Sequence, residues 1–89
     1  MKERYLEVTF RKGQPLAAYL YLPRAPGAKS VRTESVGSGL LVDYGANGEP
    51  IGVEITAPAK ITVVQLNAVL AQFGLPSMSP QELDPLHAA

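Results

Sequence analysis

Asp43 and Glu54 are the residues of this chain whose types and spacing come nearest to chemistry. On neighbouring strands they stand diagonally on one face. Two carboxylates divide acid and base roles when burial or a neighbour splits their pKa values. Nothing around them signals a cleft, so a flat solvated face is their expected home and no catalytic residue is assigned. The same pair brackets a calcium-like spacing: with Asp43 as position one, Asn47 falls fifth, Gly48 sixth and Glu54 twelfth. Gly45, in third place, brings no side-chain oxygen, and the flanks alternate with period two where a calcium loop needs helices. A hairpin is expected, with no metal.

Tyr19 and Tyr21, beside Thr9, Arg11 and Arg32, raise base stacking as a second chemistry, since aromatics on an open sheet stack on nucleic-acid bases. Charge argues against it. Eight Lys and Arg balance eight Asp and Glu, and Glu7, Glu34, Asp43 and Glu54 are expected on the same face, where they repel phosphate. Gly37-Ser38-Gly39 lacks the third glycine and the following helix of a phosphate loop and reads as a turn. The chain has no cysteine, which removes thiol nucleophiles, disulfides and thiolate metal sites. Its one histidine, His87, is expected to be solvated near the end of the chain. No cofactor is expected.

These side chains must be held by strands. Tyr5–Arg11 alternates, with Leu6, Val8 and Phe10 on one side, and 16–22 alternates with Leu16, Ala18, Leu20 and Leu22 opposed to Ala17, Tyr19 and Tyr21. Both apolar sets are even-numbered. A shared face therefore pairs Phe10 with Leu16 and Val8 with Ala18, across an odd loop of three or five residues. Residues 30–36 make a polar strand suited to a sheet edge. Residues 40–55 form a hairpin around Asn47-Gly48, a pair favoured in type I′ turns, that sets Tyr44 against Ile51, Val42 against Val53 and Leu40 against Ile55. A four-residue loop over Gly45–Gly48 keeps the same parity, so the pattern sets the hairpin and not its turn type.

Thr62 is the expected cap of a helix reaching Phe73, with Val63, Leu66, Val69, Leu70 and Phe73 as its apolar stripe and Gly74 as its stop. Ser79-Pro80-Gln81-Glu82 has capping-box form and opens a further helical turn. The fold class is therefore α+β. A twisted antiparallel sheet of four to five strands in meander order (5–55) carries one C-terminal helix (62–73) on its apolar face, and a tail (75–89) completes a single domain over 1–89.

Residues 40–55, Leu-Leu-Val-Asp-Tyr-Gly-Ala-Asn-Gly-Glu-Pro-Ile-Gly-Val-Glu-Ile, resemble the hairpin of the small bacterial domain-of-unknown-function 2283 family. That hairpin typically reads valine-aspartate-tyrosine, an acidic turn ending in glycine, then valine-glycine-isoleucine-glutamate-isoleucine. Ala17, Tyr19, Leu20 and Leu22 resemble its preceding strand, while Leu16 stands where aspartate is usual and Gly45 and Asn47 replace acidic turn residues. The resemblance runs over roughly residues 5–60 and mainly over 16–55. It implies a short cytoplasmic protein, with no catalytic residue to carry over, and an antitoxin-like role beside a small protein.

The leading expectation is a non-enzymatic protein-interaction module. Its contacts are assigned to Tyr19, Tyr21, Arg32 and Leu41 on the outer face and to Leu83 and Leu86 in the tail. The alternatives are an enzyme using Asp43 and Glu54 and a weak single-stranded nucleic-acid binder. Met-Lys-Glu-Arg-Tyr at the start has no apolar stretch, and the longest apolar runs fall far short of the ~20 residues that span a bilayer, so a cytoplasmic protein with no membrane partner is expected. A sheet of five strands is roughly 20–24 Å wide, and one helix about 10 Å across covers about half of it. With Pro76, Pro80 and Pro85 holding the tail extended, the remaining cover is expected from a second copy, as a homodimer.

Overall fold

The computed structural model describes residues 3–87, so the outermost residues of the expected domain and tail, 1–2 and 88–89, lie outside the described residues. Five strands form one antiparallel sheet: β1 (Tyr5–Arg11), β2 (Gln14–Tyr21), β3 (Arg32–Gly37), β4 (Leu40–Tyr44) and β5 (Pro50–Ile55). Their order is β1-β2-β5-β4-β3. The β1-β2 hairpin and the β3-β4-β5 meander are thus joined by the pairing of β2 with β5. The sheet and its one main helix are the expected α+β architecture, and the polar strand β3 is an edge as its composition implies.

Register agrees with the expected parity at the centre of each hairpin and departs from it near the turns. Leu6 faces Leu20 and Val8 faces Ala18, but Phe10 faces Pro15 where Leu16 was expected. The turn is the two-residue Lys12-Gly13, with φ of 53° and 78°, as a type I′ turn requires. An extra residue on β2 absorbs the parity mismatch, so no odd loop is needed. Phe10 keeps its side of the strand yet stays 48% exposed, and Leu16 is 52% exposed, because this end of the hairpin extends past the core.

In the second hairpin Leu40 faces Ile55 and Val42 faces Val53, whereas Tyr44 faces Pro50 and Ile51 is the extra residue. Ile51 is nonetheless buried. Asn47 has no positive φ, while Gly48 lies at 79°. Of the two turns compatible with the hairpin, the one over Gly45–Gly48 forms, closed by Gly48 N–H to the Gly45 carbonyl (3.0 Å), with Gly45 N–H on the Glu49 carbonyl (2.8 Å). A two-residue turn with both centres at positive φ joins β3 and β4 at Ser38-Gly39, as Lys12-Gly13 joins β1 and β2.

The helix α1 (Val63–Gln72) is closed at both ends by local chemistry. Thr62 and Gln65 form a reciprocal capping box. Gly74 N–H reaches the Ala71 carbonyl and Leu75 N–H the Leu70 carbonyl, a Schellman ending around Gly74 at φ 68°. Leu66, Val69 and Leu70 are buried against Leu20, Leu22, Val42, Val53 and Ile55.

The tail does not reach out. Its capping box forms, with Glu82 Oε1 accepting from Ser79 N–H at 2.8 Å. A 3₁₀ helix (Gln81–His87) then folds back so that Met78, Leu83 and Leu86 join the core. Asn67 accepts from Met78 N–H at 2.7 Å and donates to its carbonyl at 3.0 Å. Arg4 donates to the Pro76 carbonyl and, at 2.8 Å, to that of Ser77. His87 is exposed as expected, yet its Nε2 stands 2.7 Å from the Ile61 carbonyl, which can only accept, so the histidine also tethers the tail. The prolines shape the tail without extending it. The cover assigned to a second copy is supplied by the chain itself.

Candidate functional site

The alternation of β2 sends Ala18, Leu20 and Leu22 into the core and leaves Tyr19 and Tyr21 on the opposite face. Pairing extends that outer face to Glu7 and Thr9 on β1, Gly52 and Glu54 on β5, Leu41 and Asp43 on β4, and Thr33 on β3. At its centre Tyr19 lies across Gly52. A Cβ built on Gly52 overlaps the Tyr19 Oη and Cζ and falls 2.5 Å from Cε2. Only glycine lets the ring lie flat there, and in that position its hydroxyl donates to Asp43 Oδ2 at 2.6 Å. The other carboxylate oxygen, Oδ1, accepts from the Thr33 hydroxyl. Burial, and then the adjacent Asp43 carboxylate as hydrogen-bond partner and charge, pushes the Tyr19 phenol well above its ordinary range.

A row of rings continues from this anchor. Tyr21 meets Tyr19 edge-on at 4.7 Å between centroids and Tyr5 at 5.7 Å. Its hydroxyl lies 3.4 Å from Glu7 Oε1, and the Arg24 guanidinium sits 5.1 Å from its centroid. Tyr5 remains 55% exposed. The hydroxyls of Tyr19 and Tyr21 are engaged at the surface of the sheet, and the apolar ring area is presented outward.

Tyr19, Tyr21 and Leu41 share the expected outer face. Arg32 does not. It faces Tyr44 across β3 and β4, lies over that ring at 4.3 Å and pairs with Glu34 at 3.6 Å, all on the other side of the edge strand. The pairing of Thr33 with Asp43 decides this. Nothing within β3 says which of its two polar sides turns inward, so Glu34 leaves the acidic face together with Arg32. Leu83 and Leu86, at 1% and 0% exposure, are core residues and offer no contact surface, because the 3₁₀ helix turns both inward.

Asp43 and Glu54 share a face without meeting. Asp43 is engaged by Tyr19 and Thr33, while Glu54 stands opposite Leu41 and Tyr19 and is exposed. A cavity of about 280 Å³ lies elsewhere, lined by Glu3, Arg4, Leu22, Pro23, Leu75 and Pro76. Among the described residues no three His, Asp or Glu side chains gather in a metal-holding group. Alternation alone sets Tyr5 and Gly52 on this face, without the contacts they make there, whereas Thr33 reaches it only through the pairing of β3 with β4. Gly52 had a readable signal: an isolated glycine inside an apolar strand marks a close approach by another group.

Residues 17–57 match the family model described as protein of unknown function (DUF2283). No curated protein and no solved structure matches the chain. The matched segment runs from β2 through β5 and contains Tyr19, Thr33, Asp43 and Gly52, every member of the central cluster. It leaves β1, α1 and the tail outside. Among the described residues no helix is long and apolar enough to cross a membrane.

Proposed function

We propose that this chain is a non-catalytic protein-interaction module of the cytoplasm that receives a small protein partner on the outer face of its sheet, in the antitoxin-like manner the resemblance implies. The observation that carries this reading is the ordered row Tyr5-Tyr21-Tyr19, packed ring to ring and tied to Asp43. Aromatic side chains already held in one orientation lose little entropy when a partner covers them, which is why such residues dominate interface cores. Leu41 adds aliphatic area on the same face. Glu7, Asp43 and Glu54 around the rings favour a protein surface over a phosphate backbone.

Affinity capture from the native lysate tests this reading. The wild-type chain should retain a small protein that Tyr5→Glu and Leu41→Lys variants of unchanged melting temperature release. Capture of the same protein by the wild type and both variants alike refutes the outer face. Retention of RNA at physiological salt, lost in Tyr19→Ala, replaces the reading with nucleic-acid binding.

A further inference from the structure

We infer that β1 is the docking edge for a second copy of this chain, pairing antiparallel with its own counterpart about Val8. The sheet has two open edges, and they differ in construction. β3 carries the Arg32–Glu34 ion pair, and its register with β4 slips between Ser35 and Gly37. Charges and a bulge are the devices that keep an edge from accepting another strand. β1 carries charges too, Glu7 and Arg11, but it has no bulge and no proline over its seven residues, because the irregularity beside it is taken up by β2. It also carries two half-exposed rings, Tyr5 and Phe10.

The sequence of β1 is its own complement. Turned about Val8, the core-side face sets Leu6 against the second copy's Phe10 twice and Val8 against Val8. The outer face sets Tyr5 against Arg11 twice and Glu7 against Thr9, with Arg11 diagonal to Glu7 and opposite to it in charge. Aromatic–aliphatic and opposite-charge pairs of this kind are what stabilise neighbouring strands. The pairing satisfies the free edge amides and covers Phe10, which the monomer leaves half exposed. This inference rests on the sheet edge and not on the outer-face reading, so either can fail alone.

So small an interface is expected to associate weakly, in the micromolar range. Light scattering at concentrations on the order of 100 μM should therefore show a mass rising from 9.5 kDa towards twice that, and Phe10→Lys should hold it at the monomer. Register is read by oxidation, since the chain has no cysteine of its own. Facing residues lie about 4.5–5.5 Å apart at Cα, within disulfide reach. Val8→Cys should therefore cross-link to itself. Leu6→Cys and Phe10→Cys should each fail alone, their counterparts being roughly 13 Å away along the strand, and should link when mixed. A monomer at that concentration with no Val8→Cys cross-link overturns the proposal. So does a dimer that links through Ser35→Cys on β3, or a Val8→Cys chain that cross-links instead to a different protein.

Discussion

Replacing Gly52 by alanine probes the outer face most directly. The new methyl group would occupy the space now filled by the Tyr19 ring, 2.5 Å from Cε2 and closer still to Cζ and Oη. The obstruction is a side-chain tip, so the strand can persist while Tyr19 swings away. The swing breaks the hydrogen bond to the Asp43 carboxylate, a charge-assisted contact worth about 1.5–3 kcal/mol. It also disturbs the edge-on packing with Tyr21, worth about 0.5–1.5 kcal/mol. Alanine recovers roughly 0.5–1 kcal/mol through reduced freedom of the unfolded chain. The net expectation is a loss of about 2 kcal/mol, read from urea unfolding, and a melting temperature lower by roughly 8–16 °C for a domain of this size. A double-mutant cycle isolates the cause. In a Tyr19→Ala background the ring is absent, and Gly52→Ala should then be neutral or slightly stabilising. If Gly52→Ala costs as much with Tyr19 removed as with it present, the ring-over-glycine account is refuted.

Three further expectations follow from the same geometry. The raised phenol of Tyr19 favours the neutral form in the folded state, so its contribution to stability is complete below the ordinary tyrosine value of 10.0 and is lost as pH rises beyond it. The phenolate absorbance difference between wild type and Tyr19→Phe should accordingly develop only well above pH 10, and a difference that develops fully at pH 10 contradicts the Asp43 contact. At the β4–β5 turn, Gly48→Val should cost about 1–2 kcal/mol because its φ is positive, whereas Asn47→Ala should change the melting temperature little; the reverse order would restore the tight Asn-Gly turn. Leu86→Ala should destabilise by about 2–5 kcal/mol as a fully buried core residue, and truncation after Gly74 should expose the core to a hydrophobic dye. A truncated chain of full stability would return the tail to an extended arm.

Local pattern by itself determined the elements of this protein and the side of each central strand that is buried. Alternation in 5–11, 16–22 and 40–55 sets the apolar residues of β1, β2, β4 and β5 on a common face, and Thr62, Gly74 and Ser79 mark helix ends through hydrogen bonds that span only a few residues. These outcomes depend on neighbours in the chain, which is why they are readable there. What the tertiary structure decided depends on distant partners. The bulges at Leu16 and Ile51 arise from reconciling turn geometry with a buried face, a compromise between two strands that neither encodes alone. Arg32 and Thr33 exchange faces relative to expectation because β3 is polar on both sides, and only its pairing with β4 chooses between them. The tail prolines are compatible with an arm or with a cap, and burial of Leu83 and Leu86 over an otherwise uncovered apolar face selects the cap. The central cluster follows the same logic. Tyr19, Thr33, Asp43 and Gly52 lie on four different strands, and β5, inserted between β2 and β4, is what brings them into contact.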